Sequence, residues 1–453
     1  MLQRSKGAGL MVNLGQTLDD KLISAIFNHT VRITELTVND GKRLQALIEK
    51  GLLSSAPKLE KLCLKNEYYG LGEKPPNPVL LGTMFPDTVG LRHLELIGVD
   101  PVWNSPLFSR PITTLELGQI SPSKKPTVQE LKSVMGQIST TLETLTMRNA
   151  FPEDATASPT QNAASISLNS LRHLALGAKP VNVTTFFNNF TLTDKAKYAG
   201  MLVFLDNGPG QDFTQFLEAI GHKEALGRIA SDAIGVMIDG EIHGTKKGKK
   251  WQDFEVSLGT AQVSWSTVAD APPRDEDDLE SKLPGLELFI RSPLPESPSV
   301  AALPFRCIFT DLFNTFEWSN LRELTLVGLD IKAFPDFDRA LATTFGALPS
   351  VDFVAVGPKC ANPLFDALNY SSATNRSSRS KAAMSFAGLK RISLVSVNIQ
   401  SRVDDMAGSL SKRHKRGASI KNLSFEGCRG KTNKSLKLLK EYVGNVFWDY
   451  VKL

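Results

Sequence analysis

The hydrophobic positions of this chain recur in one short pattern, with apolar residues at i, i+3 and i+5 and mostly polar residues between. It appears as Ile33-Leu36-Val38, Leu59-Leu62-Leu64, Leu91-Leu94-Leu96, Ile112-Leu115-Leu117, Leu142-Leu145-Met147 and Leu171-Leu174-Leu176. It returns as Leu283-Leu286-Leu288, Leu321-Leu324-Leu326, Leu348-Val351-Phe353, Leu389-Ile392-Leu394 and Ile420-Leu423-Phe425. Alternation in the last three residues of each unit predicts a strand with one buried face. The apolar residue three positions earlier enters the same core from the turn leading into that strand. The units advance irregularly by roughly 30 residues, near the upper end of the known range for such repeats.

Helical patterns fall between the strands. Thr127-Val128-Gln129-Glu130 is a capping-box sequence followed by Leu131, Val134, Met135 and Ile138 on one helical face. Asp212 is placed to cap a helix carrying Phe213, Phe216, Leu217 and Ile220 and closed by Gly221. Asp336 opens a third with Phe337, Leu341 and Phe345, ending at Gly346. One such unit cannot cover its apolar face alone, so neighbours must stack. The expected fold is therefore α/β: a leucine-rich-repeat solenoid (horseshoe) with a parallel sheet on one face and helices or irregular segments on the other. It is expected as a single solenoid over 1–453, with an N-terminal capping strand and helix in 1–30 and a C-terminal cap in 430–453. In the cap, Leu436, Leu439, Val443 and Val446 stand at helical spacing. The repeat is weak over 195–270, which reads as degenerate repeats or an insertion. Ala233-Val236-Ile238 and the alternating Phe254-Val256-Leu258 favour degenerate repeats. Loops are expected at Glu67–Thr83, Phe151–Ser167, Ala269–Ser281, Pro293–Ala302 and Tyr370–Lys381.

With 453 residues, 42% of them hydrophobic and 22% charged, the composition is that of a globular chain, and +5 is too small a charge to predict nucleic-acid binding. Cys63, Cys307, Cys360 and Cys428 form no C-x-x-C pair, which suits buried thiols in a reducing compartment. The N-terminus shows no apolar signal-peptide core, and no apolar run is long enough to span a bilayer. A cytoplasmic location, with the nucleus as the alternative, is expected. Lys246-Lys247-Gly248-Lys249-Lys250 and Lys412-Arg413-His414-Lys415-Arg416 are basic clusters that read as solvated loops first and as import or anion-binding patches second.

No nucleophile elbow, H-E-x-x-H, Walker A or strand-linked G-x-G-x-x-G is present, and Gly208-Pro209-Gly210 reads as a turn. Ser378-Arg379-Ser380-Lys381 matches S-x-x-K only inside a low-complexity stretch. His93 and His173 share one repeat position, but three strand spacings separate them by about 14 Å, too far for one ion. No catalytic residue, cofactor or metal is expected. The candidate partner-binding face consists of residues flanking the central Leu of each strand, which point away from the core: Lys61, His93, Glu95, Thr114, Glu116, Thr144, Thr146, His173, Glu323, Thr325, Arg391 and Ser393. Cys63 and Ala175 stand at equivalent positions. The set is mixed in charge and modest in aromatics, and names no partner.

The L-R-H-L-x-L text at Leu91–Leu96 and Leu171–Leu176, the opening RSKGAGLMVNLG (Arg4–Gly15), the proline-rich loops and the closing FWDYVKL (Phe447–Leu453) resemble the fungal F-box/leucine-rich-repeat proteins along nearly the whole length. That resemblance implies a non-enzymatic interaction protein that selects substrates for a cullin–RING ubiquitin ligase. The family docks the ligase adaptor through an F-box preceding the matched region. No Leu-Pro-x-Glu opening precedes Arg4, and Leu303-Pro304-Phe305 is the nearest look-alike. The alternatives are a ligase-independent scaffold or degenerate paralogue, and a carbohydrate-active parallel β-helix enzyme. The last is disfavoured by the capped helical segments and long repeat.

Overall fold

The computed structural model describes residues 7–15, 20–50, 55–66, 76–80, 82–152, 165–204, 211–221, 226–228, 235–244, 250–259, 285–293, 310–311, 313–327, 336–372, 383–400, 402–449 and 451–452. The expected loop Ala269–Ser281, the Gly208–Gly210 turn, Leu303-Pro304-Phe305 and Ser378–Lys381 lie outside these residues, as do Cys307 and most of the Lys246–Lys250 cluster. The chain is α/β and divides into two compact units, Met1–Met201 and Leu202–Leu453.

The first unit is a parallel sheet whose strands follow each other in space as they do along the chain. Strands β1 (Leu10–Leu14), β2 (Ile33–Val38), β3 (Lys61–Lys65), β4 (His93–Ile97), β5 (Thr114–Gly118), β6 (Thr144–Arg148) and β7 (His173–Ala178) pair successively in parallel. β8 (Tyr198–Phe204) enters alongside β7, where the Tyr198 N–H donates to the Arg172 carbonyl. Equivalent repeat positions stand in register: Leu36, Leu62, Leu94, Leu115, Leu145 and Leu174 form one column. Val38, Leu64, Leu96, Leu117, Met147 and Leu176 form a second. Every member of both columns is buried. Ile33, Leu59, Leu91, Ile112, Leu142 and Leu171, from the turn before each strand, are buried as well. Burying a leucine side chain contributes about 1.5–3 kcal/mol, so these columns are the main cohesive force of the unit.

The turns repeat as faithfully as the strands. Before each strand a backbone N–H donates to the equivalent carbonyl one coil earlier: Glu60 to Thr34, Arg92 to Glu60, Thr113 to Arg92, Glu143 to Thr113 and Arg172 to Glu143. After the strand the chain turns away through a left-handed residue, seen at Gly98, Gln119 and Asn149. A Cβ on Gly98, at φ 62°, would stand 2.8 Å from the Asn66 carbonyl oxygen. Gly98→Ala is therefore expected to cost about 1–3 kcal/mol, read as a lower urea midpoint for the unit. An unchanged midpoint would mean that the turn relaxes freely.

Helices and short 3-10 turns carry the chain between strands. These are α1 (Asp20–Phe27), α2 (Gly41–Glu49), α3 (Val128–Ile138) and α4 (Pro180–Asn189). Helix α3 starts with the expected capping box: the Glu130 N–H donates to Thr127 Oγ1 and the Thr127 N–H to Glu130 Oε2. It buries Leu131, Val134, Met135 and Ile138.

The second unit combines a parallel ladder with an antiparallel meander. Strands β9 (Gly235–Gly244), β10 (Lys250–Gly259) and β11 (Gly285–Pro293) pair antiparallel in succession. β10 runs against both neighbours, so Phe254-Val256-Leu258 is not a degenerate parallel repeat, while Leu286 and Leu288 on β11 run in the same direction as β9. β9 also pairs in parallel with β12 (Glu323–Val327), setting Val236 against Leu324 and Ile238 against Leu326. Strands β13 (Phe353–Val356), β14 (Arg391–Val395), β15 (Ile420–Glu426) and β16 (Val443–Trp448) continue the parallel ladder from β12, and β17 (Val451–Lys452) folds back antiparallel on β16.

The buried triplet of β13 is Val351-Val354-Val356, three residues later than Leu348-Val351-Phe353: Leu324 pairs with Val354 and Leu326 with Val356. Phe353 consequently leaves the core side. In 430–453, helical spacing does not persist through Val446: the last helix ends at Lys440 and Val443-Val446-Trp448 make one more buried strand triplet.

Helices α5 (Gln211–Gly221), α6 (Phe337–Thr343), α7 (Ala361–Asn369), α8 (Val403–Lys415) and α9 (Asn433–Lys440) belong to this unit, and α6 to α9 pack in sequence order. Asp336 precedes α6 but makes no side-chain cap. The left-handed exit residue recurs after β14, β15 and β16 as Ser396, Gly427 and Asp449. The basic cluster 412–416 forms the end of α8 and the residue after it, and Arg413 is almost fully buried. Lys412, His414, Lys415 and Arg416 are exposed, as a solvated cluster would be, but the backbone is helical and Arg413 is turned inward, donating to the Ser385 and Phe386 carbonyls at 2.9 and 2.7 Å.

Candidate functional site

In a strand with one buried face, residues on either side of each central leucine project from the other face. Parallel in-register pairing lines them into rows across the sheet. In the first unit one row runs Glu35, Lys61, His93, Thr114, Thr144, His173, and the next runs Thr37, Cys63, Glu95, Glu116, Thr146, Ala175. All the predicted face residues of this unit thus fall in two neighbouring rows. His93 and His173 are three strands apart, as expected from the repeat.

Part of the second row is more buried than its outward placement suggests. Cys63, Glu95 and Thr146 are 3%, 7% and 2% exposed. Burial alone would push the Glu95 carboxyl up, but the His93 ring and the Lys65 ammonium beside it bring it down to about 2. Lys65 Nζ is 2.7 Å from Glu95 Oε1, and His93 Nε2 is 4.0 Å from Oε2. Burial, and then the negative charge of Glu95, push the Cys63 thiol up to about 12. Glu116, paired with Glu95 across the ladder, is raised by burial and next by that same charge, with Arg148 opposing.

Cys63, His93 and Glu95 bring their Sγ, imidazole and carboxylate atoms within 4.8 Å of one another. The sequence pointed to no such grouping. His93-x-Glu95 is too short a motif to notice, and Cys63 joins it only through the β3–β4 register, which sets Cys63 opposite Glu95.

The second unit carries its own polar rows. Glu323, Phe353, Arg391, Asn422 and Asn445 are aligned, as are Thr325, Ala355, Ser393, Ser424 and Phe447. Arg391 reaches Glu323 at 3.2 Å and Asp352 at 2.9 Å, while its guanidinium lies 4.9 Å from the Phe353 ring centroid. Ser393 donates to Glu426 Oε1 at 2.9 Å, and Asn445 to Asn422 Oδ1 at 3.0 Å. Thr325 is buried, and its hydroxyl has no hydrogen-bond partner among the described residues. The face is richer in large side chains than the sequence suggested, since Phe353, the direct neighbour of Arg391, and Phe447, two strands further on, join it and both are half-buried. Neither was legible: Phe353 was hidden by the three-residue register difference at β13, and Phe447 because Val443 and Val446 stand at helical spacing along the chain.

The chain matches no protein-family model and no curated protein. Among the described residues, no helix is long and apolar enough to cross a membrane. The site can be read only from its own chemistry. It offers ion pairs, hydroxyls, amides and a guanidinium stacked on an aromatic ring, groups suited to recognising a polar, mixed-charge surface.

Proposed function

We propose that this chain is a leucine-rich-repeat solenoid whose outward sheet rows dock a partner protein, without catalysis. The observation that carries the reading is the unbroken register of the repeat columns, which sets polar side chains side by side over successive strands in each unit. A surface built from regularly spaced strands suits an extended partner, and repeat architectures present such surfaces generally. The Arg391–Phe353–Glu323 cluster is the strongest anchor candidate, because arginine and aromatic side chains dominate binding energy at interfaces. The resemblance to fungal F-box/leucine-rich-repeat proteins extends the proposal to substrate selection for a cullin–RING ligase in the cytoplasm or nucleus. A ligase-independent scaffold is the second reading.

Affinity purification of the full chain from its source cell, beside an Arg391→Glu variant, tests both. A specific partner retained by the wild type and reduced at least about tenfold by the variant is the expected result. Equal recovery by a folded variant would remove Arg391 from the interface. Recovery of a cullin adaptor with the partner supports the ligase role, and its absence beside a retained partner supports the scaffold.

A further inference from the structure

We propose that Cys63, His93 and Glu95 form a binding site for zinc or a zinc-like divalent metal, with three protein ligands and a fourth position left for solvent or a partner's side chain. The site does not depend on the docking reading, and either can fail alone. Its geometry follows from strand pairing. His93 and Glu95 are two apart on β4 and so share a face, and Cys63 on β3 is the direct neighbour of Glu95. All three donor atoms lie within 4.8 Å of one another. Tetrahedral zinc, with bonds of about 2.0–2.3 Å, holds its donors roughly 3.5 Å apart, so side-chain torsions must close on the order of 1 Å.

The donor set selects the metal. One thiolate, one imidazole and one carboxylate make a borderline-soft site, which suits zinc far better than magnesium or calcium. A second observation points the same way. His93 Nε2 is buried without a hydrogen-bond partner among the described residues, and it stands 4.0 Å from Glu95 Oε2. A buried, unsatisfied imidazole nitrogen costs free energy, and a metal bond would satisfy it. His93 itself remains half-buried, leaving an approach from solvent on its side.

Lys65 is the competitor. Its ammonium holds Glu95 Oε1 at 2.7 Å and must swing out when a cation takes the carboxylate. Binding breaks the Cys63 S–H bond, forms a sulfur–metal bond and passes the proton to solvent. Lysine keeps its proton, so charge balances with one proton released.

Cobalt(II), a coloured substitute for zinc, tests the site on the full-length chain after chelation and desalting. One equivalent of cobalt is expected to give the near-ultraviolet thiolate-to-cobalt charge-transfer band, which added zinc then abolishes. Cys63→Ser should lose the band and His93→Gln should weaken binding at least about 100-fold, while Cys428→Ser should keep both. Lys65→Met should tighten binding, because it removes the ammonium that competes for Glu95. Circular dichroism of each variant establishes that it is folded. No charge-transfer band in the wild type, a band that survives Cys63→Ser, or looser binding in a folded Lys65→Met variant would overturn the site.

Discussion

Arg413→Ala is expected to destabilise the second unit by about 3–5 kcal/mol, measured by urea denaturation followed through circular dichroism. Arg413 lies on the last turn of α8 and is 1% exposed. It donates two hydrogen bonds to consecutive carbonyls, Ser385 and Phe386, where the chain turns through a left-handed residue, Phe386 at φ 55°, before Leu389 enters the core. Removing the guanidinium leaves the Ser385 carbonyl without this donor and the Phe386 carbonyl with the Leu389 N–H alone, at about 1–3 kcal/mol, and opens a cavity along the arginine stem. The loss is partly offset because Arg413 is itself desolvated: burial lowers its pKa to about 10. Arg413→Met keeps most of the volume and removes the buried charge, so its cost should be about half as large. If Arg413→Ala shifts the midpoint no more than a surface substitution, those carbonyls find other donors and the clamp is not what holds 385–386.

A second large effect is expected in the first unit. Leu94→Ala should cost about 2–5 kcal/mol, since Leu94 is fully buried and sits in the column between Leu62 and Leu115. Thr144→Ala, on the outward row two strands away, should change stability by no more than about 0.5 kcal/mol. The contrast tests the alternation itself, because the two residues differ mainly in which face of the sheet they occupy. Similar losses for both would mean that the sheet buries its two faces equally.

These outcomes bear on what sequence reading can reach. The i, i+3, i+5 pattern reports local burial, and a leucine three residues before an L-x-L segment tells the same story wherever the strand stands. That is why the Leu62, Leu94, Leu115, Leu145 and Leu174 column, the α3 capping box and the outward placement of His93, Thr114 and Thr144 were legible beforehand. Strand direction was not. Val256 and Leu258 alternate equally well on a parallel or an antiparallel strand, and only the pairing of β10 with β9 and β11 shows that it runs against them. Register at β13 was ambiguous for a related reason: Leu348-Val351-Phe353 and Val351-Val354-Val356 share Val351 and both satisfy the spacing. Pairing with Leu324 and Leu326 selects the second. The small-residue triplet Ala196-Ala199-Met201, buried at β8, escaped because alanine is weakly hydrophobic and its burial leaves little trace in a leucine count.

The amino-acid pattern by itself determined the strand repeat, the buried face of most strands and the α/β class, because these depend on residues a few positions apart. Tertiary structure decided what requires residues about 30 positions apart to meet. It placed Cys63 beside Glu95, set the Arg391 guanidinium over Phe353, and drew Arg413 out of a run of solvated-looking basic residues onto two backbone carbonyls. The reason is that a side chain's electrostatic surroundings are set by strand register and helix rotation, neither of which is encoded in the spacing of apolar residues along a single segment.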